Sequence, residues 1–235
     1  FFYYLREMKQ SLQQNKVFVY LWSDFNLKLF LKNSINKSNI FKSNIPWTFY
    51  NRKFKKNNHT IGFIGDARRA RGFHLLPQII KTLETKKKSF NYLIQFSKIT
   101  DDLIDTKKEL YNMAKHNKKI KIIEKYSDYK EFLGYLKKID IMPILHTAKE
   151  INALTSGTLY SCVPYEIPIV VPSGTVFMKN IQKFKSYEKA RNVKDYANKI
   201  NRISKKYKFY LNNMKLNSKI LREILKKDPL RKNIN

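Results

Sequence analysis

Cysteine is almost absent from the 235 residues: Cys162 stands alone. An intramolecular disulfide is therefore excluded, and the chain reads as one built for a reducing compartment. Long apolar runs are missing too. None approaches the roughly 20 residues needed to cross a bilayer, and the opening Phe1-Phe2-Tyr3-Tyr4-Leu5 lacks the basic start and small-residue cleavage site of a secretory leader. The expectation is a cytoplasmic protein, free or held peripherally at the inner face of the membrane. Since the chain opens on Phe1 and not on methionine, further sequence is expected upstream. Acidic residues are scarce, 18 against 48 lysines and arginines, leaving a net charge of +30. Lysine occurs throughout, in company with asparagine and isoleucine, as in residues 32–40. The charge therefore reads as compositional bias more than as one basic face. Nucleic acid is disfavoured as a partner, and peripheral contact with an anionic membrane stays open. The four histidines, His59, His74, His116 and His146, lack metal-ligand spacing, and Cys162 has no partner thiol. No metal and no cofactor is expected.

What is present is an alternation of periods. Residues 59–64 form a β-branched, apolar run. Phe73, Leu76, Ile79, Ile80 and Leu83 then recur at helical spacing. Residues 90–96 read as a strand, and residues 103–114 as a helix opened by Thr100-Asp101-Asp102. Residues 119–123 are a third strand, followed by a helix capped by Ser127. Residues 140–145 and 168–171 are the fourth and fifth strands, with a short helix starting at Thr155-Ser156-Gly157-Thr158 between them. Strands separated by single helices imply an α/β fold, a parallel Rossmann-like sheet with helices on both faces. All six glycines fall between Gly62 and Gly174, inside this region. Residues 1–50 carry a different text and read as the end of a preceding domain plus linker. Residues 51–192 are the α/β domain. Residues 193–235 are C-terminal helices, the first carrying Tyr196, Ile200, Ile203, Tyr207, Tyr210 and Met214 at helical spacing and running towards Leu225.

Two segments sit where such sheets bind ligands, beyond the carboxyl ends of the strands. The first is Gly65-Asp66-Ala67-Arg68-Arg69-Ala70-Arg71-Gly72. Its glycines allow a tight turn and a close approach of backbone to ligand, and its arginines offer guanidinium forks for a phosphate. The second is Thr155-Ser156-Gly157-Thr158, with hydroxyls and free N–H groups at a helix start. Taken singly, the first is as well read as solvent-facing charge and the second as a helix cap; at one sheet edge they would suit a diphosphate. The first segment is no Walker loop, since it lacks the Gly-Lys-Ser/Thr ending.

The order of these motifs resembles the C-terminal, donor-binding domain of GT-B glycosyltransferases of the group-1 retaining type, over roughly residues 59–205. Arg71-Gly72 takes the place of the family's Lys-Gly pair, and Arg68 that of its first cation. Thr155-Ser156-Gly157 matches the family's helix start, and residues 167–171 its Gly-x-Pro-Val-Val strand, with Glu166 where the family has glycine. His146 stands in place of the usual aromatic, and the family's two carboxylate positions fall on Asn152 and Tyr160. The resemblance implies transfer of a sugar from a nucleotide-diphosphate donor to a hydroxyl acceptor, with retained configuration and no metal. Gly65, Arg68, Arg71, Gly72, Thr155, Ser156, Gly157 and Thr158 would hold the diphosphate. His146, Asn152 and Tyr160 would lie near the donor sugar or ribose. The implied acceptor is a glycan or lipid-linked intermediate, bound mainly by an acceptor domain of which residues 1–50 would be the end. Catalytic residues are not assigned. The alternatives are a binding module of the same fold without activity and a basic binder of polyanions or membrane surfaces.

Overall fold

The computed structural model describes residues 19–21, 40–42, 48–86, 89–146, 156–175 and 183–228. Contacts divide the chain into two compact units, residues 1–47 with 222–235 and residues 48–221. In the first unit, β1 (Val19–Leu21) pairs in parallel with β2 (Ile40–Lys42).

The second unit holds β3 (Thr60–Ile64), β4 (Asn91–Phe96), β5 (Ile120–Glu124), β6 (Met142–Pro143), β7 (Ile169–Pro172) and β8 (Tyr187–Ala190). Between them run α1 (Leu76–Glu84), α2 (Ile104–His116), α3 (Tyr129–Lys138) and α4 (Gly157–Cys162), followed by α5 (Val193–Lys205) and by α6 (Tyr207–Lys226), whose residues from Arg222 onward are counted with the first unit. Each described strand pair is parallel. Two three-stranded ladders, β5-β4-β3 and β6-β7-β8, meet at β3 and β6. There Ile61 bridges Ile141, and the Gly62 N–H donates to the Ile141 carbonyl at 3.1 Å. The order β5-β4-β3-β6-β7-β8 reverses direction at that junction, the topological switch point at which doubly wound sheets take their ligands.

Alternation along β3 explains the layers. Ile61 and Phe63 join a core with Phe73, Leu76, Ile80, Tyr196 and Ile200, residues that α1 and α5 contribute in large part. Gly62 faces the other way: a Cβ there would fall 2.2 Å from the Ile139 side chain, just after α3. Helices therefore cover both faces. The buried Tyr196 hydroxyl donates to the Ile144 carbonyl at 2.8 Å and ties α5 to the end of β6.

Several local expectations change. The strand expected over residues 140–145 contributes only Met142–Pro143 to a regular ladder. Asp140 instead turns its carboxylate to the Thr60 N–H at 2.8 Å, and Pro143 has no N–H to donate. The cap of α3 is Asp128, not Ser127: its carboxylate accepts from the Glu131 N–H at 2.7 Å. The C-terminal helix is two helices, broken at Lys206. A sixth strand, β8, is added at the edge. Its Glu188 is buried and is satisfied by the Tyr210 hydroxyl, with Lys185, Lys199 and Arg202 at 3.6 to 3.7 Å.

Where the chain enters this unit, Arg52 is 4% exposed and fully engaged. Its guanidinium donates to the Leu136, Lys137 and Tyr165 carbonyls at 2.8, 3.3 and 3.2 Å and pairs with Asp140 at 3.5 Å. Its backbone N–H donates to Glu166 Oε2 at 2.7 Å. Glu166 has φ +55, a left-handed backbone that glycine adopts without strain. That accounts for the glycine in the family pattern and for what replaces it here: a side chain that holds the incoming chain.

Candidate functional site

β3 ends at Ile64, and the chain turns at Gly65, φ +135, whose N–H donates to the Gln95 carbonyl at 3.1 Å. Ala67, fully buried, donates to the Lys98 carbonyl at 2.7 Å, which lays this loop beside the one after β4. A single 3-10 turn, Arg69–Arg71, follows. Gly72 closes it at φ +72, packed so closely that a Cβ would lie 2.3 Å from the Leu145 carbonyl oxygen. Both glycines are thus required by geometry, one for its conformation and the other for conformation and contact.

The three arginines have separate fates. Arg68 pairs with Asp66 at 3.0 Å, and Asp66 also accepts from the Ser97 hydroxyl at 3.0 Å. Arg69 pairs with Asp102 at 2.9 Å on the surface. The Thr100 hydroxyl, and then Arg69, hold the Asp102 carboxyl below its ordinary range. Arg71 has no ion pair among the described residues. Its guanidinium lies across Gly65, with Nη1 2.8 Å from where a Gly65 Cβ would sit. Any side chain at position 65 would push it away. Arg71 is the cation this loop leaves available.

Opposite stands α4. Ser156 caps it, its hydroxyl accepting from the Leu159 N–H at 3.3 Å. The Thr158 hydroxyl reaches back to the Ile64 carbonyl at 3.5 Å. One narrow cleft is lined by Ile64, Arg71, His146 and Thr158 together with residues of β6. The position of a Gly157 Cβ is open space, with nothing within 4 Å. Hence the structure brings Gly65, Arg71, His146, Gly157 and Thr158 to the same edge of the sheet, at the switch point. It places Arg68 outward with Asp66. Tyr160 sits one turn into α4, partly buried, and is not among the residues that line the cleft. Thr155 and Asn152 lie outside the described residues.

No protein-family model and no curated protein sequence matches the chain. Solved structures do. The C-terminal domain of the glycosyl transferase group 1 family protein LpcC from Francisella tularensis aligns over 71% of this chain and 86% of its own, at 14% identity and a TM-score of 0.58. The fold is that of a GT-B glycosyltransferase C-terminal domain. S. aureus TarM, solved with fondaparinux, α-GlcNAc-glycerol and UDP, aligns with this GT-B chain over 94% of the chain and 45% of its own, at 13% identity and a TM-score of 0.63. HepE from Anabaena, solved with UDP and glucose, aligns over 95% and 64% respectively, at 12% identity and a TM-score of 0.58. The chain thus spans less than half of TarM and under two thirds of HepE.

Around this cleft the structure adds neighbours that the sequence did not single out. A cavity of about 500 Å³ adjoins it, sharing Leu145 and His146 and walled by Ser173, Arg191, Asn192 and Tyr196. The signal for its floor was present: Asn192 followed by Asp195 is a helix-cap pattern, and Asn192 does cap α5, accepting from the Asp195 N–H at 2.9 Å. Among the described residues, no group of three or more His, Cys, Asp or Glu could hold a metal ion. No helix among them is long and apolar enough to cross a membrane.

Proposed function

We propose that this chain is the donor-binding part of a glycosyltransferase that moves a sugar from a nucleoside-diphosphate carrier to a hydroxyl acceptor, with retained configuration. The observation that carries the reading is Arg71. It is the one loop arginine without a carboxylate partner among the described residues, it lies across Gly65, and it shares a cleft with the first turn of α4. As the glycosidic bond breaks, negative charge accumulates on the departing diphosphate. A fixed guanidinium on one side and the N–H groups of Gly157 and Thr158 on the other would stabilise that charge without reorganisation. Gly65 and Gly72 would shape the loop, and Ser156 would hold α4 in place as its cap. Arg68 would contribute only by releasing Asp66. His146, on the rim shared with the larger cavity, would contact the donor sugar, with Asn152 and Tyr160 nearer the ribose. The acceptor, a glycan or lipid-linked intermediate, would meet the donor from a further domain of which residues 1–50 form the end.

Titration of the chain with UDP, GDP and ADP tests this. Arg71→Ala should weaken the best of them by about 1.5–3 kcal/mol, the worth of a charge-assisted bond, or roughly 10- to 150-fold. The exposed Lys108→Ala should change little. Equal losses at both positions would reduce the site to diffuse charge. One observation favours a second reading, a binding module without activity: Tyr160 stands where the resemblance implies a carboxylate. Binding without release of free nucleoside diphosphate from any nucleotide sugar, with acceptor present, would support it.

A further inference from the structure

At the opposite edge of the sheet, where residues 54–56 lead into β3 and α5 hands over to α6, lies a groove of about 560 Å³. It is lined chiefly by Phe54, Lys56, Lys205, Lys206, Lys208 and Phe209. Phe54 and Phe209 are each 51% exposed, a large area of aromatic surface to leave in water. On α6 the pattern continues: Lys208, Phe209, Asn212, Leu216 and Lys219 face outward, while Tyr210, Leu211 and Met214 are buried against the core. Phe209 and Leu216, two turns apart, fall on one stripe flanked by lysines.

The lysines around the groove are among the described lysines that stand without a carboxylate partner. Lys81, Lys107, Lys108 and Lys125 each have a carboxylate partner. Lys56, Lys205, Lys206 and Lys208 have none among the described residues, and between Asp195 and Glu223 the sequence contains no acidic residue at all. Compositional bias explains many lysines. It does not explain the clearing of every acid from a stretch that also exposes Phe209 and Leu216.

We propose that this surface docks on an anionic lipid bilayer, with Phe54, Phe209 and Leu216 entering the interface and the lysines meeting lipid phosphates. Apolar side chains rimmed by lysine on a surface helix are the pattern that lies in a membrane interface, and each lysine adds attraction to anionic lipid. Single-stranded nucleic acid would use the aromatics for stacking, but Leu216 has no face to stack. The 13 residues of α5 put about 20 Å between this groove and the cavity beside the cleft, so docking here leaves the cleft uncovered. This inference does not depend on the donor reading.

The test is co-sedimentation of the whole chain with phosphatidylcholine vesicles, with and without phosphatidylglycerol. Binding is expected only with phosphatidylglycerol. Phe54→Ser with Phe209→Ser, and separately Lys205→Glu with Lys206→Glu, should each weaken it at least about tenfold. Because these side chains are exposed, melting temperature and nucleotide affinity should stay as in the parent. Three results would overturn the proposal: no binding to phosphatidylglycerol vesicles, undiminished binding by both variants, or loss by these variants of binding to single-stranded RNA while vesicles are ignored throughout.

Discussion

Glu166 offers a measurement in which two effects of known size oppose each other. The residue is 5% exposed, sits at φ +55, and accepts the Arg52 N–H at 2.7 Å. Left-handed backbone costs a non-glycine residue about 1–2 kcal/mol, and a buried hydrogen bond to a charged group contributes about 1.5–3 kcal/mol. Glu166→Ala keeps the strain and loses the bond, so it should destabilise by about 1.5–3 kcal/mol. Glu166→Gly loses the same bond but sheds the strain. Against that stands the greater freedom of glycine in the unfolded chain, about 0.5–1 kcal/mol. The glycine variant should therefore be the more stable of the two by about 0.5–1 kcal/mol. Urea unfolding followed by far-ultraviolet circular dichroism resolves a difference of that size when the slopes agree. If the glycine variant proves as unstable as the alanine variant, backbone conformation is not what selects the residue, and the account given for this position falls.

Other outcomes follow from single contacts. Gly157→Val places a branched side chain in open space at the cleft; stability should hold within about 0.5 kcal/mol while nucleoside-diphosphate binding is lost, as titration of the variant would read. Gly72→Ala combines a left-handed backbone with a 2.3 Å approach to the Leu145 carbonyl, and should cost about 2–5 kcal/mol, visible as a drop in melting temperature. His74 has its pKa lowered from 6.5, first by burial and then by Arg69. Its folded form favours the neutral ring, so the unfolded chain binds the extra proton first. The stability it supports is present above pH 6.5 and should be lost as pH falls below that value, a slope that His74→Gln should flatten in denaturation curves taken between neutral and mildly acidic pH.

The sequence displays some of this architecture and conceals the rest for identifiable reasons. β3, β4 and β7 are legible because their faces are buried and their runs are largely apolar; β5 lies at the edge with Lys121 and Glu124 exposed and is legible from its isoleucines. β8 reads Tyr-Glu-Lys-Ala and looks like surface; its buried Glu188 becomes acceptable only once Lys199, Arg202 and Tyr210 arrive from helices later in the chain. The break at Lys206 is hidden because buried side chains keep helical spacing straight across it. At the cleft, the Gly65–Gly72 loop and the Ser156 cap are both visible in the residues themselves. Which arginine is left over is not. That depends on Asp66, Ser97 and Asp102, and so on two loops being laid side by side by the Ala67–Lys98 bond.

The junction of β3 and β6 divides the sheet along its thinnest line. Each outer ladder is stitched over a run of residues, whereas the two halves are joined mainly by the Gly62–Ile141 and Ile141–Thr60 backbone bonds, both 3.1 Å, and by Asp140 closing on Thr60. The cleft opens directly above this seam: Arg71 belongs to the half that contains β3, and Thr158 follows the half that begins with β6. A molecule lodged between them touches both halves at once and acts as a rivet across the joint. Amide protons at Gly62 and Ile141 would then report occupancy from inside the core, trading with solvent more slowly when the cleft is filled, although neither residue touches what fills it.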